Sequence, residues 1–315
     1  MMNPISRYRD LRRAGVLGLN ARNACYIMTR NQRRLYPLVD DKIQCKRMLQ
    51  QRGIAVPVLL DSIRGQYEAG HLDKRLQQLD KFAIKPASGS GGDGIIVIVA
   101  RRNQRWISAG GSAYSLDDIQ FHVSGILNGM YSLGGQPDAA MFETLIEPAE
   151  VLKSIAPFGV PDIRVIVYRG IPVMAMMRVP TRMSGGRANL HQGAIGVGVD
   201  LVSGVTHAGV MQNHVVELHP DSGASINDFS IPDWPDLLAM AARCQQAIPL
   251  GYLGVDIVLD ERHGPQVLEL NARPGLAIQI ANQCGLRKRL QRVDALGEPE
   301  SMSLEERLAC VAKIT

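Results

Sequence analysis

The chain has no hydrophobic run approaching the roughly 20 apolar residues that a membrane-spanning helix needs. Its longest uninterrupted aliphatic stretch is Ile95 to Ala100, so no membrane partner is expected. The polar, basic start (Arg7, Arg9, Arg12, Arg13) is not followed by an apolar segment with a small-residue cleavage site, and a cytoplasmic protein is expected. Five cysteines lie scattered without C-x-x-C spacing, which signals neither a disulfide framework nor a zinc site; they read as buried or inert thiols. Aromatic residues make up only 5% of the chain and are not interleaved with Lys/Arg runs, so the stacking platforms of single-strand nucleic-acid binders are missing. Internal repeats and low-complexity tracts are missing too. What is present, 46% hydrophobic and 21% charged residues over 315 positions, is the composition of a folded globular chain and excludes disorder.

Charge is unevenly placed. Residues 1–52 carry 12 Lys/Arg against 3 Asp/Glu, whereas the remainder is net acidic. A basic segment of this kind fits nucleic acid, an acidic partner or a solvated surface. The Arg-rich stretch Asn20 to Arg34 reads as a surface arm. Helices are expected at 41–51 (closed by Gly53), 71–79, 115–129, 234–248 and 276–284. Strands are expected at 57–60, 82–85, 95–100, 140–146, 162–168, 171–178, 194–202, 253–259 and 266–271, with Arg169-Gly170 as a hairpin turn. Helices mixed with hairpin-linked strands predict α+β layers, not a doubly wound parallel sheet.

The strongest chemical signal is Leu253-Gly-Val-Asp-Ile-Val-Leu259, a turn, then Gln266-Val-Leu-Glu-Leu-Asn271. A turn symmetric about the Arg262–His263 midpoint sets Asp256 opposite Glu269 and Gly254 opposite Asn271. Cross-strand partners share a face, and so do residues two apart. Asp256, Glu269 and Asn271 then converge on one face, with Val255, Ile257, Leu268 and Leu270 on the other. Two carboxylates and an amide suit a hard cation such as Mg²⁺, with Mn²⁺ as an alternative, completed by substrate phosphates.

A second signal is Phe82-Ala-Ile-Lys85-Pro-Ala-Ser88-Gly-Ser90-Gly-Gly-Asp-Gly94. Gly89, Gly91 and Gly94 match G-x-G-x-x-G, yet a β-branched run follows where a dinucleotide motif needs a helix, and no Gly-Lys-Ser/Thr closes a Walker loop. What remains is a strand-to-strand loop whose amides, with Ser88 and Ser90, fold over phosphates above Lys85.

The order of these motifs resembles the ATP-grasp superfamily, and within it the RimK-like carboxylate–amine ligases, which include the ribosomal-protein glutamate ligases. The resemblance runs from Asp41-Lys42-Ile43 and Gln51 to Pro57 through Ile84-Lys85-Pro86, the glycine loop and Phe142-Glu143-Thr-Leu-Ile146. It continues through Asp162-Ile-Arg164, Arg187-Ala-Asn189-Leu-His191 and Gly254-Val-Asp256 to Glu269-Leu-Asn271-Ala-Arg273-Pro-Gly275. It implies an ATP-grasp fold of two α+β lobes with nucleotide between them. The lid lobe would span about 41–139 and the metal-binding lobe about 140–290, with a basic extension at 1–40 in place of a full preceding domain and a tail at 291–315.

By the same resemblance, Lys42 and Lys85 hold the ATP phosphates beneath Ser88, Gly89, Ser90, Gly91 and Gly92. Glu143, Thr144, Leu145 and Ile146 form the hinge that meets adenine, and Asp162 meets the ribose. Arg164, Arg187 and Asn189 lie near the γ-phosphate and substrate carboxylate as the catalytic set, and Asp256, Glu269 and Asn271 hold the metal. Arg273 adds a positive charge beside that metal. Arg178 reads either as facing the same pocket or, as is commoner at a strand end, as a surface ion-pair partner, His191 as a structural histidine, and Met174, Met176 and Met177 as packing. The implied activity is ATP-driven amide formation through an acylphosphate, adding glutamate or a similar amino acid to a peptide or protein. Two other readings are a phosphotransferase and a nucleotide-responsive binding protein whose basic arm docks on RNA or an acidic partner. A homo-oligomer is compatible with any of them.

Overall fold

The structure is a computed structural model and describes residues 4–89 and 91–315. Ser90, one of the expected loop residues, lies outside the described residues. Among those described, the strands form two antiparallel sheets. The first comprises β1 (Leu59–Ile63), β2 (Phe82–Pro86), β3 (Ile96–Arg102), β4 (Arg105–Ser108), β5 (Ala113–Tyr114) and β6 (Ala140–Glu143), in the order β1-β6-β2-β3-β4-β5. The second comprises β7 (Asp162–Tyr168), β8 (Ile171–Val179), β9 (Ile195–Val199), β10 (Thr206–Met211), β11 (His214–Val216), β12 (Tyr252–Asp260) and β13 (Gly264–Asn271), in the order β11-β10-β9-β8-β7-β12-β13. Ala140–Glu143, expected at the start of the second lobe, is an inner strand of the first sheet, because it pairs with both β1 and β2.

Each sheet has its own core. In the first lobe the helix Leu116–Leu127 starts at Ser115, whose hydroxyl accepts from the Asp118 amide while the Asp118 carboxylate reaches back. That capping box fixes its rotation, so Ile119, Val123 and Ile126 line one stripe against Phe82, Ile84, Ile98 and Phe142. In the second lobe, alternation along β7 places Ile163, Val165 and Val167 in the core and Asp162 and Arg164 on the opposite face. Arg169 and Gly170 both have positive φ (51° and 82°), the conformation a two-residue hairpin turn requires. The helix Trp234–Ala247 packs on β7, β8 and β12. Met174, Met176 and Met177 are all buried, as packing residues.

Three parts differ from the sequence reading. The stretch read as a surface arm is docked: Tyr26 and Ile27, with Leu17 just before it, enter the second core, and Tyr26 packs edge-on against Tyr168. Its polar residues bond to backbone. The Asn31 amide donates to the Tyr252 and Ala272 carbonyls, and the Arg22 guanidinium donates to the Pro274 carbonyl. Residues 291–315, expected as a tail, contribute Val293, Cys310, Val311 and Ile314 to the same core. Of the cysteines, Cys45, Cys244 and Cys310 are buried, but Cys25 and Cys284 are exposed. Among the described residues no helix is long and apolar enough to cross a membrane.

Candidate active site

The Asp41 carboxylate caps the helix Lys42–Gln51, accepting from the amides of Ile43 (2.8 Å) and Gln44 (3.1 Å). The cap sets Lys42 at the helix start, facing the cleft between the sheets. Its Nζ donates to the Gly89 carbonyl and lies 3.5 Å from Glu269 Oε1, so one ammonium touches both lobes. One turn on, Lys46 points the same way but stays buried. Its Nζ is 3.0 Å from Glu143 Oε2 and donates to the Pro57 carbonyl.

Lys85, near the end of β2, is paired with the other oxygen of Glu143 on neighbouring β6. Glu143 is therefore a buried carboxylate between two ammoniums. Burial pushes it up, but Lys85 and Lys46 together outweigh burial and hold it below the usual carboxylate range. Burial lowers Lys46 in turn, with Glu143 opposing.

The glycine loop joins the antiparallel strands β2 and β3 and reaches across the cleft. Asn189 Nδ2 donates to the Gly91 carbonyl at 3.0 Å, and Arg187 Nη1 lies 3.9 Å from Asp93 Oδ1. At the loop's far end the Gly94 carbonyl contacts His122 Nε2 at 2.9 Å. Gly94 has φ +74°, and a Cβ there would stand 2.5 Å from the Tyr131 ring. The Ser88 amide is engaged by the Asp138 carboxylate (2.9 Å), which anchors the near end. Thr144, one of the expected hinge residues, bonds through its amide and its hydroxyl to the backbone of Val58. Beside it, Leu145 and Ile146 are half-buried in the connection to the second sheet.

On the second sheet the pairing Asp256↔Glu269 and Gly254↔Asn271 is the one the sequence predicts. The turn itself is centred one half-step earlier, on Arg262, since Asp260 pairs with Gly264. A bulge at Leu268 supplies the extra residue, and Val267 takes the core place expected for Leu268. Asp256 is the hub of the face. Its Oδ1 accepts from Arg164 Nε (2.6 Å), and its Oδ2 accepts from Arg164 Nη2 (2.5 Å), Arg178 Nη2 (2.7 Å) and Asn271 Nδ2 (3.3 Å). Arg178 also holds Asp162 through two bonds of 2.6 Å. Burial pushes Asp256 up, but Arg164 and Arg178 overcome it and pull the carboxylate down; Asp162, with Arg178 as its main opposing partner, is raised by burial to about 6.

The fold thus gathers Lys42, Gly89, Gly91, Arg187, Asn189 and Glu269 about one cleft, with Asp256, Asn271, Arg164 and Asp162 on its floor. Arg178, read as a strand-end surface partner, is half-buried on that floor. Arg273 is turned away from it, stacked over Tyr36 and 3.8 Å from Asp40. Lys46 escaped the sequence reading. Its signal was there: a lysine four residues after Lys42 on the otherwise apolar Ile43/Cys45/Leu49 side of the helix. Among the described residues no three His, Cys, Asp or Glu side chains cluster as a metal site; the ligand set on offer is two carboxylates and an amide.

Two α+β lobes, each on an antiparallel sheet and closing on a cleft beneath a glycine flap, define the ATP-grasp fold. The chain belongs to the sugar-transfer associated ATP-grasp family, whose model it matches over residues 21–295. Among solved structures it is similar to a biotin carboxylase–βγ–ATP complex from Campylobacter jejuni (16% identity, TM-score 0.51, 87% of this chain and 49% of that one). It is also similar to D-alanine–D-alanine ligase from Bacillus anthracis (14%, 0.46, 89% and 69%). A third is the ATP-grasp ligase PsnB complexed with a minimal precursor (15%, 0.44, 85% of this chain). The chain spans 63% of the length of that PsnB chain. No curated protein matches it in sequence.

Proposed function

We propose that the protein is an ATP-dependent carboxylate–amine ligase that forms an amide through an acylphosphate. The observation that carries this reading is Lys42, which bonds to the flap at Gly89 while lying 3.5 Å from Glu269, so phosphate-directed and cation-directed groups share one cleft. In this reading adenine lies at the 143–146 connection, the ribose beside Asp162, and the phosphates run past Lys42 and Lys85 under the Ser88–Gly92 loop.

The residues on the cleft floor fit a divalent cation. Glu269 is partly exposed, with Lys42 as its ion-pair partner among the described residues, and Asn271 turns its nitrogen to Asp256, leaving its oxygen as an acceptor. Asp256, held by Arg164 and Arg178, would complete the set. Bound there, Mg²⁺ or Mn²⁺ would supply charge neutralisation for the phosphate oxygens. The substrate carboxylate oxygen attacks the γ-phosphorus, the bond to the β-phosphate oxygen breaks, and ADP leaves. The amine nitrogen then attacks the acyl carbon, loses a proton and expels phosphate. Lys85, Arg164 and Arg187 balance the charge that builds on the transferred group, Asn189 orients it, and the flap keeps water from the acylphosphate.

The finer assignment, glutamate or a similar amino acid added to a peptide or protein carboxylate, is supported by the ordered RimK-like motifs between Asp41 and Gly275. The test is ADP release screened over amino acids and peptides, with mass spectrometry of products. Amine-dependent ADP release with a product heavier by one amide-linked residue is expected. Amine-independent release that leaves a stable phosphorylated product overturns the ligase in favour of a phosphotransferase.

A further inference from the structure

The cleft floor continues beyond its charged half. Cross-strand register runs Asp162↔Arg178 between β7 and β8, Arg178↔Gly196 between β8 and β9, and Gly196↔Val210 between β9 and β10. Directly paired residues share a sheet face, so Gly196 and Val210 lie on the same face as the carboxylate–guanidinium cluster. Val210 is two strand spacings, about 10 Å, from Arg178.

The helix Ala277–Ala281, which follows the metal-directed strand β13, covers this part of the face. A Cβ on Gly196 would stand 3.3 Å from the Ala281 methyl and 2.8 Å from Leu190 Cδ2, and a Cβ on Gly198 would stand 2.7 Å from the Ala281 carbonyl. Between helix and sheet a pocket of about 300 Å³ remains, its apolar wall made by Leu190, Val210, Ala277, Ile280 and Ala281, with the polar residues His191, Gln212 and Asn213 also lining it. Its wall begins at Leu190, one residue after the Asn189 that holds the flap. Gly196 lets Leu190 and Ala281 settle closely on the sheet, and the small side chains of Ala277 and Ala281 leave the space beside them. It has room for a side-chain-sized apolar group and lies on the same sheet face as the carboxylate–guanidinium cluster.

We infer that this pocket receives an apolar group of the carboxylate substrate, which therefore carries such a group about 10 Å from its reacting end. The identity of that end rests on the ligase reading. Charged or small polar acids that cannot reach the pocket are poor substrates, because no apolar surface is buried with them.

The test uses the full chain with Mg·ADP and calorimetric titration of N-acetylglycine, N-butanoylglycine and N-hexanoylglycine, which share one carboxylate. Affinity is expected to rise by about fourfold for each added methylene that is buried. Ala277→Leu fills the pocket and should flatten the series; Ile280→Ser, on the half-exposed rim, should weaken the hexanoyl compound more than the acetyl one. A flat series in the unmodified protein, or an unchanged gradient in both variants, overturns the inference. ADP release with the same acids and an amine separates the two readings. A gradient without any ADP release upholds the pocket and removes the ligase, whereas ADP release indifferent to chain length upholds the ligase and removes the pocket.

Discussion

Lys46 Nζ lies 3.0 Å from Glu143 Oε2, and neither side chain is more than 4% exposed. Because Glu143 also holds Lys85, one carboxylate restrains two ammoniums, one wholly enclosed and one at the cleft edge. The arrangement leaves a net positive charge where a polyphosphate would lie, and it ties the helix Lys42–Gln51 to the first sheet. An ion pair this dry contributes to stability only while both partners remain.

The two ways of breaking the pair should therefore differ. Glu143→Gln leaves Lys46 buried without a counter-charge and should cost about 3–5 kcal/mol. Lys46→Met leaves Glu143 still paired with Lys85, and should cost less, about 1–3 kcal/mol. Urea denaturation of both variants measures the order; equal losses would show that Lys85 does not hold the carboxylate.

Acid should weaken the same contact. The folded-state pKa of Glu143 is depressed below its ordinary 4.5, so the folded state holds the ionised form more firmly than the unfolded chain does. Its stabilising share is complete above pH 4.5 and is lost as pH falls through the lower folded-state value. The stability gap between the unmodified protein and Glu143→Gln should stay constant near neutrality and close under acid. A gap that widens below pH 4.5 contradicts the assignment.

Much of this site was legible because its residues repeat with the period of their element. Asp256 opposite Glu269 follows from strand alternation, and the helix at 41–51 from its stop at Gly53; Lys42 was legible only through the family resemblance. What hid the rest was backbone irregularity. Arg178 meets Asp162 only because a bulge near Val173 shifts the β7–β8 register by one, which a symmetric Arg169-Gly170 turn does not predict. The bulge at Leu268 worked the other way, correcting a turn centre read half a residue late. Residues 20–34 looked like a surface arm because many of their contacts run through Asn31 and Arg22 to backbone carbonyls, and such contacts leave no apolar period.

The metal-directed residues should separate by their burden. Asp256 satisfies two arginines and is 1% exposed, so Asp256→Asn should cost both turnover and fold stability. Among the described residues Glu269 has one ion-pair partner, Lys42, and it is about a third exposed, so Glu269→Gln is the cleaner probe. It should lower amine-dependent ADP release by about 100-fold or more with little change in Tm. Undiminished release by Glu269→Gln removes that carboxylate from the cation site.

The flap should fail in a particular way when its latch is cut. Asn189→Ala removes the 3.0 Å bond to the Gly91 carbonyl, a hydrogen bond from the second lobe to the loop tip. Water should then reach the acylphosphate, so ADP release continues while the amide formed per ADP falls several-fold. Asp93→Asn tests whether any loop contact would do the same. Its partner Arg187 is 3.9 Å away with both side chains well exposed, and such pairs contribute about 0–1 kcal/mol, so coupling should hardly change. If both variants uncouple equally, closure depends on the loop's overall charge and not on the Asn189 amide. If neither does, water is excluded by something other than this flap.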